Sequence, residues 1–164
     1  MLEFKYETQN DEDGVENLLD LVFSPNRFNL SSYSLRNEVP KIKTLCFVAK
    51  NTDGNVVGVI RHWPILIGNR KNLALLIGPI AIHPVYQGEG IGSYLINYSI
   101  TKSKKYGWKR ALLIGDIDYY KNFGFYQQKD KKIIFPSPTD SKRILLIDLE
   151  KNSFKGLEGK VQKF

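Results

Sequence analysis

The stretch that most constrains the fold is a glycine-rich turn between an apolar segment and an amphipathic segment. Apolar residues dominate Leu73–Ile82, and after His83 and Pro84 comes the turn QGEGIG, residues 87–92. From Ile91 onward, apolar positions recur at helical spacing. Strand, glycine turn and helix in this order expose backbone N–H groups at the positive end of a helix dipole. The turn therefore predicts an anion site, and phosphate is the commonest occupant of such sites.

Length and composition predict one domain, residues 1–164, with a core large enough to fold without disulfides. The single cysteine, Cys46, lies in an apolar run and is expected to be a buried strand residue. One cysteine and two distant histidines form no metal-ligand cluster, so no metal is expected. The N-terminus lacks a secretory signal, and no apolar run reaches the length of a membrane span. We expect a cytoplasmic protein with no membrane partner.

A formal net charge of +7 raises the question of nucleic-acid binding. The basic residues are spread along the chain, with local concentrations at 102–110 and 129–132. The sequence contains no zinc finger, RNA-recognition signature or basic leucine-zipper helix. An anionic small ligand explains the charge at least as well, so no nucleic-acid partner is expected.

Apolar spacing predicts the remaining elements. A first strand at 2–7 is followed by a helix that Asn10 caps and Pro25 ends, and a short helical segment capped by Ser31 or Ser32 comes next. Strands at 45–50, 56–67 and 73–82 are joined by tight turns and predict an antiparallel meander. The other predicted elements are a helix ending near Tyr106, a doubly buried strand Arg110–Ile114, a short helix 118–122, strands 133–135 and 143–149, and a surface extension 151–164.

Two common phosphate-binding turns fail on specific residues. The mononucleotide P-loop needs Lys after its last glycine, and here Ser93 and Tyr94 follow Gly92. The dinucleotide fingerprint needs a third glycine at the position of Ser93, and it opens a parallel Rossmann unit rather than following a meander. The helix between the third strand and Arg110–Ile114 instead makes a single βαβ crossover.

The turn at 87–92 resembles the Q/R-x-x-G-x-G/A motif of the GCN5-related N-acetyltransferase (GNAT) superfamily. Residues 80–84 (IAIHP) resemble the strand and turn before that motif, and residues 120–125 (YKNFGF) resemble a tyrosine element that follows it. Residues 78–92, 115–116 and 119–120, with shorter matches near both ends, are most similar to the YhbS-like group of predicted acetyltransferases. The resemblance covers nearly the whole chain.

This resemblance implies an α/β (α+β) fold with a mixed, mostly antiparallel sheet flanked by helices. Its splayed parallel pair would be 73–82 and 110–114, with acetyl-CoA lying between them as co-substrate. The backbone of Ile80, Ala81 and Ile82 would then bind the pantetheine arm. The implied pyrophosphate site consists of backbone N–H groups in and just after the turn, those of Gly88, Glu89, Gly90, Ile91, Gly92 and Ser93. The Gln87 side chain would be a further donor.

The resemblance also implies the catalytic groups. A backbone N–H, that of Ile82, would polarise the acetyl carbonyl, and Tyr120 would protonate the leaving thiolate. Tyr120 could instead only pack beneath the cofactor, and Tyr119 is the alternative acid. No general base is identified among Asp116, Asp118, His62 and Glu38, and a water chain could serve instead.

The function implied is direct transfer of an acetyl group from acetyl-CoA to a primary amine, without a cysteine intermediate. The acceptor is a small-molecule or peptide amine that the sequence does not identify. The alternative is a non-catalytic acyl-CoA-binding or sensor domain that kept the cofactor site. The oligomeric state stays open between monomer and homodimer.

Overall fold

The centre of the fold is the antiparallel meander that the sequence predicts. In the computed structural model, which describes residues 1–164, β2 (Phe47–Lys50), β3 (Val56–Ile67) and β4 (Asn72–Ile82) pair in sequence order. β1 (Glu3–Tyr6) pairs antiparallel with β2 and forms the edge of the sheet. The turns predicted between β2, β3 and β4 are present, as expected for consecutive strands that pair antiparallel.

The crossover out of the meander is also present. α3 (Ile91–Lys105) connects β4 to β5 (Arg110–Ile114), and the two strands are parallel. β8 (Ile144–Asp148) pairs antiparallel with β5, and β6 (Tyr126–Gln127) pairs with β8. The sheet order is β1-β2-β3-β4-β5-β8-β6. This confirms a mixed, mostly antiparallel sheet with one parallel pair inside it.

The C-terminal segment differs from the expectation of a surface extension. β9 (Gly159–Lys163) pairs antiparallel with the end of β3 and parallel with β7 (Ile133–Ile134). The side chains of Val161 and Phe154 are buried in the core beneath this strand. The polar composition of the segment hid the strand, because alternate β9 side chains face solvent and Val161 supplies the buried position.

Helices cover both faces of the sheet. α1 (Glu12–Phe23) packs Val15, Leu18 and Leu19 against one face, and α3 packs against the other. α2 (Ser31–Ser34) and α4 (Ile117–Tyr120) are single turns near the end of the β4–β5 pairing. No helix combines the length and the apolar character that crossing a membrane requires.

The predicted helix caps are wrong in detail. The Asp11 carboxylate accepts hydrogen bonds from Thr8 N and Oγ1, at 2.9 and 2.8 Å, so these two residues rather than Asn10 organise the start of α1. Leu30 precedes α2, and Ser31 Oγ lies 2.6 Å from Thr139 Oγ1 instead of capping the helix. Short polar side chains have several nearby partners, and tertiary contacts decided between them.

The start of α3 lies close against the sheet. A Cβ atom at Gly58 in β3 would lie 2.8 Å from Ile91 Cγ2, so only glycine allows this approach. Ile91 is buried as a result, and the glycine turn before it is held at the end of β4.

Candidate active site

The candidate site begins where β4 and β5 part. They pair only at Leu75 with Ala111 and Leu76 with Leu112. β4 continues to Ile82 while still paired with β3 on its other side. Beyond Leu76, one side of β4 therefore has no neighbouring strand, and its backbone groups there are free to bind a ligand.

Strand alternation decides which backbone groups face this gap. His83 N donates to Val57 O at 2.8 Å, so the His83 amide points toward β3. Successive residues of a strand alternate in direction, so the peptide groups of Ile82 and Ile80 point into the gap and those of Ala81 point toward β3. The Ala81 side chain is buried under α1. Of the three residues that the sequence singled out, two present backbone groups to the gap.

The glycine turn follows directly. Gly88 and Gly90 have φ angles of 86° and 80°, and a Cβ at either position would meet no atom within 4 Å. Residues 87–90 are exposed, and α3 begins at Ile91. The N-terminal N–H groups of α3 and the preceding turn are thus open to a ligand, which fits a pyrophosphate. Before the turn, His83 Nδ1 accepts a hydrogen bond from Val85 N at 3.2 Å and has a structural role.

Tyr119 and Gly92 connect α4 to the glycine turn. A Cβ at Gly92 would lie 3.0 Å from the Tyr119 hydroxyl oxygen. The Tyr119 ring is exposed, and its centroid lies 5.0 Å from that of Tyr120. Tyr119 therefore stands beside the start of α3, whereas Tyr120 turns toward the gap between β4 and β5. Ser93, one residue further along α3, is half-buried.

Tyr120 lies against Gly115 and Phe125. A Cβ at Gly115 would overlap the Tyr120 ring, and the Phe125 ring centroid lies 5.7 Å away. Burial raises the pKa of the Tyr120 hydroxyl to about 12, Tyr119 adds to the shift, and Arg143 opposes it. The phenol is therefore protonated at neutral pH and available as a proton donor. The role of Gly115 was not predicted from the sequence, although a glycine directly after a buried strand is a signal of close approach.

A cavity of about 600 Å³ occupies the gap beside Tyr120. α2 and the segment before it, the divergent parts of β4 and β5, and the loop before β8 form its wall. Ile80 and Tyr120 line it, whereas Ile82 and residues 87–93 lie outside it. The glycine turn and the cavity are thus separate parts of one cleft, the first suited to phosphates and the second to a further molecule.

None of the four candidate bases lines this cavity. His62 is fully buried, which lowers its pKa to about 4. Glu38 pairs with Lys163 at 3.6 Å, and the Asp116 carboxylate accepts from Asp118 N at 3.0 Å. The one carboxylate in the lining is that of Asp140, which was not among the candidates predicted from the sequence. The structure places no three His, Cys, Asp or Glu side chains where they could hold a metal ion.

Comparison with models of known protein families assigns this chain to a family. The model of the "Acetyltransferase (GNAT) domain" family matches residues 43–127, more than half of the chain. The chain belongs to the GNAT family. The match covers the meander, the glycine turn, α3 and the Tyr120 element, so it confirms the resemblance found in the sequence.

Individual relatives of this chain are also named as N-acetyltransferases. The uncharacterized N-acetyltransferase YhbS of Escherichia coli strain K12 is 24% identical over 115 residues, which are 70% of this chain and 68% of that protein. An uncharacterized ycf52-like N-acetyltransferase of Prochlorococcus marinus is 36% identical over 80 residues, 42% of this chain and 44% of the relative.

Solved structures confirm the GNAT fold. The crystal structure of Escherichia coli YhbS in complex with CoA superposes with a TM-score of 0.84 at 21% identity, covering 99% of this chain and 89% of that one. A GNAT acetyltransferase of Brucella melitensis in complex with acetyl-CoA gives a TM-score of 0.73 at 23% identity, with 100% and 96% covered.

Proposed function

We propose that this chain is an acetyl-CoA-dependent N-acetyltransferase that transfers the acetyl group directly to a primary amine. The observation that carries the proposal is the gap between β4 and β5, which has an open glycine turn at one part and the Tyr120-lined cavity at the other. Two relatives support the donor: the N-acetyltransferase YhbS, solved with CoA, and the GNAT family acetyltransferase of Brucella melitensis, solved with acetyl-CoA.

The residues present fit acetyl-CoA. The backbone groups of Ile80 and Ile82 face the gap and would bond the amide-bearing pantetheine arm as a strand would, with Ala81 as the buried spacer between them. Gly88 and Gly90 leave the turn clear of side chains, so the backbone N–H groups of residues 88–93 would bind the pyrophosphate. The exposed Gln87 side chain would add a donor there.

When bound, acetyl-CoA would supply an activated thioester. The Ile82 N–H points into the gap and would stabilise the negative charge that develops on the carbonyl oxygen as an amine adds. Tyr120 holds a proton at the cavity wall for the sulfur that leaves. The amine proton would pass to water or to a group near the cavity mouth.

Direct transfer is favoured over a cysteine intermediate. Cys46 is fully buried, its Sγ lies 3.2 Å from Ile42 O as a hydrogen-bond donor, and it does not line the cavity. Burial raises the pKa of its thiol to about 11, so the nucleophilic thiolate is scarce at neutral pH.

The proposal treats residues 1–164 as one N-acetyltransferase domain, because strands from both ends of the chain join the same sheet. A cytoplasmic location and the absence of nucleic-acid and membrane partners stay predictions. A possible homodimer is likewise a prediction.

The test is a CoA-release assay with the purified chain, acetyl-CoA and panels of amines: polyamines, amino sugars, aminoglycosides, and peptides with free N-termini or lysines. The proposal expects CoA and an acetylated amine in equal amounts, identified by mass spectrometry. Acetyl-CoA binding without turnover of any amine would favour the non-catalytic acyl-CoA-binding domain. Absence of both binding and turnover would overturn the proposal and its alternative together.

A further inference from the structure

Arg36 is a buried cation without an acidic partner. The residue is 8% exposed, its Nε has no hydrogen-bond partner, and it forms none of the ion pairs of the structure. The other two buried arginines, Arg27 and Arg61, each pair with two carboxylates. Burying a charge without a partner is costly, and burial lowers the pKa of Arg36 to about 10. Departures of this kind from the rules of stable packing occur at functional sites, and a negatively charged ligand would supply the missing partner.

Local structure holds the Arg36 guanidinium at the cavity wall. Arg36 follows α2, and its guanidinium carbon lies 4.7 Å from the centroid of the Tyr33 ring. A Cβ at Gly78 in β4 would lie 3.1 Å from Arg36 Nη2, so glycine at this position, with φ at 131°, leaves the room that the guanidinium needs. The buried Tyr33 hydroxyl also lacks a partner. Both side chains line the cavity that Tyr120 lines.

The charged groups of the cavity lining favour an anion. Arg36 and Arg143 are its two cations, and Asp140 is its one carboxylate. Arg143 is exposed and forms no ion pair, and the exposed Asp140 carboxylate accepts a hydrogen bond from Lys142 N at 3.0 Å. Neutral side chains that can donate hydrogen bonds complete the polar part of the lining: Asn29, Ser31, Ser32, Tyr33 and Thr139. The buried part of the cavity therefore holds one uncompensated positive charge.

We propose that the acceptor is a primary amine that carries a carboxylate, and that Arg36 binds this carboxylate in the cavity beside Tyr120. The inference rests on the proposed function, because it assigns the second substrate of the same cleft. A guanidinium matches a carboxylate through two parallel hydrogen bonds, and one carboxylate neutralises the one buried cation. The free Tyr33 hydroxyl supplies a further donor.

The same charges disfavour other acceptors. Polyamines and aminoglycosides carry several positive charges, which Arg36 and Arg143 repel. A phosphate monoester carries about 1.5 to 2 negative charges at pH 7 and needs a second cation, which only the exposed Arg143 offers. Amines of these two classes are therefore the comparison arms of the test.

The first experiment uses matched acceptors and needs no variant. Acetyl-CoA binding by the full chain is measured by calorimetry, and CoA release is then measured with amino acids and dipeptides, each as the free acid and as its C-terminal amide. Spermidine, kanamycin and 2-aminoethyl phosphate complete the panel. We expect kcat/KM to be at least about tenfold higher for the acid than for its amide, because only the acid pairs with the buried cation.

The outcomes separate the two claims. Acetyl-CoA binding with turnover that prefers amides, spermidine, kanamycin or the phosphate overturns the carboxylate assignment and leaves the acetyltransferase intact. Absence of acetyl-CoA binding, or of turnover with every amine, overturns the proposed function and the assignment with it.

The second experiment tests Arg36 itself. Arg36→Gln is compared with Arg70→Gln, which removes one positive charge from an exposed turn outside the cavity. We expect Arg36→Gln to lower kcat/KM for the acid about 30-fold, mainly through KM, and for the amide less than about threefold. Arg70→Gln should change neither. Equal losses on acid and amide would show that Arg36 acts only on the structure, and would overturn its assignment.

Discussion

The ring of Tyr120 occupies the space that a side chain at residue 115 would need. A Cβ added at Gly115 would overlap this ring, and Leu113 Cδ1 lies on another side at 3.1 Å from the same position. The glycine after β5 therefore fixes where the Tyr120 hydroxyl stands in the cleft.

Gly115→Ala should displace Tyr120 and lower both activity and stability. Overpacking of this kind costs about 1–3 kcal/mol in the free energy of unfolding. In a Tyr120→Ala background the same substitution has room, so it should cost much less there. Denaturant unfolding of the wild type, the two single variants and the double variant measures this coupling. Additive effects would contradict the contact.

Tyr120→Phe removes the proposed proton donor and keeps the ring. We expect kcat to fall about 10²- to 10⁴-fold with little change in acetyl-CoA affinity. Tyr119→Phe is the matched variant, because its hydroxyl lies beside Gly92 and outside the cavity, and it should lower kcat less than about tenfold. A larger loss in Tyr119→Phe than in Tyr120→Phe would assign the acid to Tyr119.

Activity should not fall through ionisation of Tyr120 at any pH near neutrality. Burial raises its pKa to about 12, above the ordinary value near 10, so the phenol stays protonated up to about pH 11. The alkaline limb of a kcat profile, measured in wild type with a saturating acceptor, should therefore show no loss between pH 7 and about pH 10 that depends on Tyr120. A loss in this range that Tyr120→Phe abolishes would contradict the burial of the hydroxyl.

His62 should make the protein acid-sensitive. Burial lowers its pKa from 6.5 to about 4, so the folded state binds its proton less tightly than the unfolded state does. The stabilisation is present above pH 6.5 and is lost as the pH falls toward 4, by about 3 kcal/mol. His62→Gln lacks this titration, so the wild type should lose about that much more stability than the variant over the same range. The free energy of unfolding is measured against pH for both proteins. The same pH dependence in wild type and His62→Gln would contradict the role of His62 in acid sensitivity.

Arg36 and Arg61 should respond in opposite ways to replacement by methionine. Arg36 has no acidic partner, so Arg36→Met should leave the melting temperature unchanged or raise it by a few degrees. Arg61 Nη2 lies 2.6 Å from Glu7 Oε1, and Arg61→Met would leave the buried Glu7 without this partner. That change should cost about 3–5 kcal/mol. Differential scanning calorimetry measures the melting temperatures of both variants. A large fall in the melting temperature of Arg36→Met would contradict the prediction and show that Arg36 stabilises the fold.

Much of the fold could be predicted from the sequence, because most strands have a strong local pattern of apolar residues. β5 was predicted with the bounds that it has, Arg110–Ile114, since a short continuous apolar run is typical of a strand buried on both faces. β9 was missed because one buried residue, Val161, does not make a pattern. Its partners, β3 and β7, are distant in sequence and become neighbours only through the fold.

The same distinction between local patterns and contacts made only in the fold applies to the candidate site. The glycine turn is a contiguous motif, so the sequence located it, and period-two alternation could also have shown that Ala81 points away from the gap. The pairing of Gly115 with Tyr120, and the isolation of Arg36, depend on which side chains the folded chain brings together. An arginine three residues after Tyr33 in a short helical segment was visible, but not its burial.

Acetyl-CoA binding at the glycine turn tests the central claim most directly. Thermal unfolding is measured with and without millimolar acetyl-CoA for wild type, Gly90→Asp and Gly54→Asp. Both glycines have φ at 80° and no atom within 4 Å of a Cβ, so the two substitutions carry the same backbone strain, but only position 90 adds a carboxylate at the pyrophosphate site. The account predicts stabilisation of wild type and Gly54→Asp, by about 2.7 kcal/mol at a hundred times the dissociation constant, and none of Gly90→Asp. Absence of stabilisation in wild type, or equal stabilisation of Gly90→Asp, would contradict it.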